Sequence, residues 1–175
     1  MEQISAWVGR FYDQIPKNGL ILDLAGGSGR HTRFLTQKGF KLLLLDNDIA
    51  KAKHLQDVEN IVLMEYDLED GSTLPFPKNS FQGVVVTNYL YRPIFPQLLN
   101  LLDDGGILIY ETFAVGNEKY GRPAFPVFSI NKFSTNSNNI SDIDCNLPGI
   151  ISAYLTPMVK IKSGTIEART INNDA

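Results

Sequence analysis

Leu22-Asp23-Leu24-Ala25-Gly26-Gly27-Ser28-Gly29-Arg30-His31 joins an apolar run that begins at Leu20 to a glycine cluster and then to a helix-forming segment. The run Leu20-Ile21-Leu22-Asp23-Leu24 predicts a short buried strand entering a tight loop. Arg30 to Lys38 predict a helix with Phe34 and Leu35 inward and Gly39 as its stop. A loop poor in β-carbons lets a ligand approach the backbone, and the helix after it offers free N–H groups.

The pattern repeats on both sides of this unit. Upstream, Ile4, Trp7, Val8, Phe11 and Ile15 recur at helical spacing, so the first 15 residues predict an amphipathic helix, broken at Pro16-Lys17-Asn18-Gly19. Downstream, Lys41 to Leu45 predict a second strand, and Asp48 an N-cap for a helix with Ile49, Ala52 and Leu55 on one face. Ile61 to Glu65 and Phe81 to Thr87 predict further strands. Pro93 opens a predicted helix bearing Ile94, Phe95, Leu98, Leu99 and Leu102, which Asp103-Asp104-Gly105-Gly106 ends before a fifth strand at Ile107 to Thr112.

Short apolar strands alternating with helices imply right-handed crossovers. The expected fold is α/β: a three-layer, Rossmann-like, mostly parallel sheet with helices on both faces. In such sheets ligands bind beyond the carboxyl ends of the strands, where strand order reverses. That rule puts the glycine loop, Asp46, Asp67 and Asn88 on one edge. After Pro126 the pattern decays, and residues 131–146 hold five Asn and three Ser. Residues 127–149 are therefore read as an atypical loop. Ile150 to Thr156, Val159 to Lys162 and Thr165 to Arg169 are read as irregular terminal strands, with Ser163-Gly164 a hairpin turn.

The 175 residues fit one domain, with a core at 18–126. Hydrophobic residues at 43% and charged residues at 20% are an ordinary globular balance. The single Cys145 forms no internal bridge, and two histidines at unrelated spacing give no metal signature. A net charge of −3 argues against a nucleic-acid partner. No membrane span or signal peptide is read, so the expected location is cytoplasmic. Oligomeric state is not legible.

The loop itself discriminates between ligands. A dinucleotide fingerprint G-x-G-x-x-G would place glycine after Gly27-x-Gly29 where Thr32 stands. Asp23 would repel a pyrophosphate but suits the cationic amino-acid end of S-adenosylmethionine. Asp46, 17 residues beyond Gly29, can accept both ribose hydroxyls, a role open to either cofactor. The plainer alternatives are that Asp23 caps loop amides and Asp46 starts a turn.

Asp23-Leu-Ala-Gly-Gly-Ser-Gly29 resembles the first motif of the class I S-adenosylmethionine-dependent methyltransferases, acid-x-G-x-G-x-G, with Ala25 in place of the first glycine, a mild change since alanine is small. The resemblance covers roughly Leu20 to Pro126. It implies that Asp23, Ala25, Gly26, Gly27 and Gly29 hold the amino-acid end of S-adenosylmethionine. It sets Asp46 and Asn47 at the ribose, Asp67 and Leu68 at the adenine, and Asn88 and Tyr89 near the transferable methyl. Val86-Thr-Asn-Tyr-Leu-Tyr-Arg-Pro93 and Tyr110 to Pro123 look like a small bacterial, largely uncharacterised subgroup. That subgroup usually has histidine where Tyr91 stands. Its C-terminal part differs from the Asn/Ser-rich end here, which a disrupted reading frame or replaced tail after about Phe128 would explain; resequencing the gene tests this.

Methyl transfer from a sulfonium is an in-line displacement with a neutral leaving group, so the protein must chiefly align the partners and exclude water. A base is needed only for a protonated nucleophile. Asn88, Tyr89 and Glu111 are the catalytic candidates; Tyr91, Arg92, Tyr120 and Arg122 are the acceptor-binding candidates, the arginines as clamps for a carboxylate or phosphate. His31 could approach the cofactor but is read in preference as a solvated first-turn residue, and His54 as surface. The expected function is methyl transfer from S-adenosylmethionine to a small molecule. The rivals are a non-catalytic S-adenosylmethionine-binding protein with a degraded C-terminal part, and an NAD(P)-dependent oxidoreductase.

Overall fold

Strands β1 (Leu20–Leu24), β2 (Lys41–Asp46), β3 (Ile61–Glu65), β4 (Phe81–Thr87) and β5 (Leu102–Phe113) pair in parallel. The computed structural model describes residues 3–113, 154–155, 157–162 and 165–170. Within them the sheet runs β3-β2-β1-β4-β5-β7-β8, where β7 is Pro157–Lys162 and β8 is Thr165–Thr170. β7 lies antiparallel to β5 and to β8, and β6 (Tyr154–Leu155) pairs antiparallel with the end of β5. The late strands of the sequence reading thus join the sheet; the Asn/Ser-rich segment and Ser163-Gly164 lie outside the described residues.

Each central strand is buried on both faces, which is why it reads as a continuous apolar run and not as an alternation. Leu22, Leu24, Val84, Val86, Leu108 and Tyr110 face one core with α3 (Phe95–Leu101). Ile21, Val85, Ile107 and Ile109 face another with α1 (Ala6–Phe11) and α2 (Arg30–Gln37). Fully burying such side chains is worth about 1.5–3 kcal/mol apiece. The result is the expected three-layer Rossmann-like α/β arrangement.

Helix limits depart from the expectation for local reasons. The first helix ends at Phe11 and tightens to a 3₁₀ turn at Tyr12–Gln14, which leaves Ile15 extended and buried against Gly83. The segment Ile49–Leu55 is also a 3₁₀ helix. Asp48 makes no side-chain cap bond there; it pairs with Lys51 at 3.3 Å instead. Pro93 sits in a 3₁₀ turn, Arg92–Ile94, and it is Pro96 that stands in the first turn of α3. Leu102 opens β5 instead of closing that helix. It pairs with Phe81, and the extra residues before the next pair, Gly83 with Ile107, form a bulge around the left-handed Gly105 (φ 79°). No helix among the described residues is long and apolar enough to cross a membrane.

Candidate functional site

Strand order reverses between β1 and β4, and there the segments leaving the two strands part. A cleft of about 320 Å³ opens between residues 25–28 with Arg30 on one side and residues 87–89 on the other. Its position follows the switch-point rule.

The glycine loop is wound tightly to make this space. Ala25 (φ 53°), Gly27 (φ 57°) and Gly29 (φ 76°) are left-handed, so alanine at 25 is mild in volume but strained in backbone. The Gly26 N–H donates to the Leu45 carbonyl at 3.2 Å, and the Gly29 N–H to the Gly26 carbonyl at 2.9 Å. The glycines serve different ends. A β-carbon at Gly29 would stand 2.4 Å from Leu55 Cδ1, whereas one at Gly27, on the cleft wall, would meet nothing within 4 Å. Gly29 is small for the fold, and Gly27 leaves room for a ligand.

Asp23 lies beneath the loop, 1% exposed. Its Oδ2 accepts the Thr32 N–H at 3.0 Å and the Thr32 hydroxyl at 2.6 Å. Gly29, the N-cap of α2, has no side chain to offer, so the sheet supplies the cap across nine residues. Burial pushes the Asp23 carboxyl up from its ordinary 3.8 to about 6, against the Thr32 bonds and Arg30, which act to lower it. A carboxylate in that state is stabilised by an arriving cation.

Asp46, 8% exposed, ends β2 and fixes the loop from the other side. Its Oδ2 accepts the Gly27 N–H at 2.8 Å and its Oδ1 the Asp48 N–H at 3.0 Å. Each oxygen keeps a second lone pair for a hydroxyl. Asp23 thus caps the helix and not the loop amides, while Asp46 holds a loop amide and also starts the turn after β2, alongside any ligand role.

Of the other sequence candidates, Ala25, Gly26, Gly27, Asn88 and Tyr89 line the cleft. Asn47 and Asp67 are exposed away from that lining, and Asp67 accepts the Glu69 N–H at 2.8 Å in a local turn. Leu68 is buried in the core on the α3 side. Asn88 is exposed and left-handed (φ 58°), and its N–H donates to the Glu111 carbonyl at 2.8 Å. The Tyr89 hydroxyl donates to Glu69 at 3.3 Å; burial and then the Glu69 charge raise its phenol above the usual value, so it is a poor proton acceptor near neutrality. Tyr91 packs, half-buried, against the α3-side core. Tyr120 and Arg122 lie outside the described residues, as does the side chain of Arg92.

Two residues gain importance that the sequence did not give them. His31 is 1% exposed, which corrects its reading as solvated. Its Nε2 accepts the Ser5 N–H at 3.1 Å, and its Nδ1 lies 3.4 Å from the Thr87 hydroxyl. Ser5 caps α1, accepting from the amides of Trp7 and Val8, and donates its hydroxyl to Glu111 Oε2. Ser5 before a helical run was a readable cap signal; its tie to Glu111, 106 residues on, was not. Among the described residues no cluster of His, Cys, Asp and Glu is suited to hold a metal ion.

Comparison with known proteins gives consistent findings. A family model described as a methyltransferase domain matches residues 22–109. Among solved structures, an S-adenosylmethionine-dependent methyltransferase from Mesorhizobium loti is 23% identical, with TM-score 0.51, covering 63% of this chain and 55% of that one. The YcgJ protein from Bacillus subtilis is 18% identical, with TM-score 0.51, over 62% of this chain and 50% of its own. An S-adenosylmethionine-dependent methyltransferase from Aquifex aeolicus is 12% identical, with TM-score 0.50, over 62% and 64%. The chain thus spans between half and two thirds of these structures, and the likeness is one of fold. No curated protein matches the sequence.

Proposed function

The chain belongs to the methyltransferase-domain family, and from that premise we propose that it transfers a methyl group from S-adenosylmethionine to a small-molecule acceptor. The observation that carries this reading is the buried Asp23, a carboxyl that burial pushes up to about 6 and that is still largely ionised at neutral pH, under an open glycine wall. A cationic amino group is the ligand feature that such a carboxylate fits, and the space over Gly27 admits its backbone-hugging approach. A dinucleotide would bring its pyrophosphate to the same place, where Asp23 opposes it.

S-adenosylmethionine supplies, when bound, a methyl group already activated on a sulfonium. The chain's own work is placement. Asp23 and the loop hold the amino-acid end, with Arg30 on the same wall suited to its carboxylate. Asp46 offers its remaining lone pairs to the ribose hydroxyls, and the Asp67-Leu68 segment after β3 is our candidate for the adenine side. Asn88 orients the acceptor at the cleft mouth, and the Glu111 carboxylate takes a proton where the nucleophile carries one. The net charge of −3 favours a small acceptor over a polyanion.

Calorimetric titration with S-adenosylhomocysteine, with NAD and NADP as controls, tests the proposal. Binding of the homocysteine compound alone, at micromolar affinity or better, is the expected result; NAD binding, or no binding by folded protein, overturns it. Asp46→Ala is expected to weaken that binding by about 1–3 kcal/mol through lost hydroxyl contacts and a loosened Gly27 amide. An unchanged affinity would take Asp46 out of the site.

A further inference from the structure

Two residues of the N-terminal segment, Gln3 and Ser5, are fastened to three residues at or beside the cleft, Arg30, His31 and Glu111. Arg30, which lines the cleft, donates from Nη1 to the Gln3 carbonyl at 3.2 Å. His31 Nε2 accepts the Ser5 N–H, and Glu111 Oε2 accepts the Ser5 hydroxyl. Thr87, which also lines the cleft, stands on the other side of the His31 ring. Thr87 and Glu111 are register partners on β4 and β5, so their side chains leave the same face of the sheet, the face α1 and α2 cover.

The hydrogen-bond capacities of Ser5 leave little freedom here. Its oxygen faces the amides of Trp7 and Val8 at 3.1 and 3.4 Å, so the lone pairs are spent on α1 and the single proton goes to Glu111. Its N–H goes to His31 Nε2, which must then be unprotonated, placing the proton of the neutral ring on Nδ1 toward Thr87. Ser5 is thereby a single joint between the His31 ring, which stands against the cleft-lining Thr87, and the Glu111 carboxylate. Val8, Phe11 and Ile15 behind it are buried and hold α1 down.

We propose that Ser5 and His31 are positioning residues for Glu111, with the segment Gln3–Ser5 pinned beside the cleft through Arg30 and His31. Only the use made of Glu111 rests on the methyl-transfer reading; the coupling itself does not. The hydroxyl fixes one carboxylate oxygen, His31 fixes the serine backbone, and the pair sets where the carboxylate can meet an acceptor. Neither residue touches the reacting atoms.

The test reads a change at Glu111 from the ring of His31, through Ser5. The chain has only two histidines, and His54 is exposed, so the imidazole ¹⁵N spectrum is readily assigned. In the wild type at pH 8, His31 is expected as the fixed Nδ1–H tautomer and His54 as an average. Glu111→Gln, which leaves the α1 cap in place, is expected to shift the His31 signals, and Ser5→Ala to release the tautomer toward the average. Ser5→Thr should restore the wild-type spectrum. Acrylamide quenching of Trp7, the single tryptophan and part of α1, should rise about twofold in Ser5→Ala and not in Ser5→Thr. If Ser5→Ala does not fold, Glu111→Gln decides. A His31 spectrum in Glu111→Gln identical to the wild type overturns the proposal, since a serine that merely capped α1 would transmit nothing. Titrating the wild type with S-adenosylhomocysteine keeps the two readings separate: its failure would sink the methyl-transfer reading and leave the ring spectrum as it was.

Discussion

Asp23→Asn is expected to melt higher than the wild type at pH 7.5 in the absence of ligand, and to bind S-adenosylhomocysteine at least tenfold more weakly. In the folded chain the carboxyl is raised from 3.8 to about 6 by burial, so the native state holds the proton more tightly than the unfolded one. The sign follows by linkage. Below the unfolded value the group imposes no charge penalty. Between about 4 and 6 its contribution to stability falls as pH rises, and above 6 the full cost stands, about 3 kcal/mol for that interval. Asparagine removes the charge and can still accept both Thr32 bonds, though more weakly. A net gain of about 1–2 kcal/mol, or ~3–6 °C in a domain of this size, remains. The gap should narrow in thermal scans at pH 5. If instead the variant melts lower at every pH, the charged cap on α2 outweighs the burial, and the strain assigned to Asp23 is absent. Stability given up at a carboxylate and regained with a ligand is the trade expected of a binding site.

The second large effect separates two glycines of the same loop. Gly29→Ala should lose about 2–4 kcal/mol in urea unfolding, since a left-handed β-carbon costs about 1–2 kcal/mol and overpacking against Leu55 and Leu44 about as much again. Gly27→Ala has the same backbone problem without the clash, so it should lose only about 1–2 kcal/mol. Its β-carbon stands instead where a ligand would approach. Affinity for S-adenosylhomocysteine should therefore fall more in Gly27→Ala than its stability explains. Equal stability losses in the two variants would show that Leu55 yields, and undo the distinction.

The five successive strands and the sheet edge that carries the cleft were legible because they rest on local signals: apolar runs of strand length, a glycine cluster after the first, and helical spacing between them. Asp23 was legible for the same reason, being in the motif. Its partner Thr32 was not, because nothing in a threonine two residues into a helix says which way its hydroxyl turns. His31 was misread for a related reason. A histidine in a helix's first turn is solvated by default, and what buries this one is Ser5, 26 residues upstream, docked by the packing of α1 on β5. Leu102 continued a helical spacing, yet Phe81 claims it for the sheet, and tertiary pairing overrides local pattern. The 3₁₀ form of Ile49–Leu55 left its spacing of buried residues, Ala52 and Leu55, intact, so nothing in the apolar pattern warned of it.

The cap that Asp23 supplies to α2 also has a consequence in time. Eight residues are too few for a helix to persist alone in water, and this one has a glycine at its N-cap and no acid in its first turn. It cannot wait, already formed, for the sheet. Its cap is a carboxylate that takes its place only when β1 is paired on both sides, and one of those partners is β4, which begins at Phe81. The loop encoded within the first thirty residues is therefore among the later features to set during refolding. In pulse-labelled exchange the Thr32 amide is expected to gain protection together with the amides of β4, not ahead of them. Early protection of Thr32 would mean that α2 nucleates without its strand. A chain interrupted before β4 would carry every glycine of the motif and still lack the cleft.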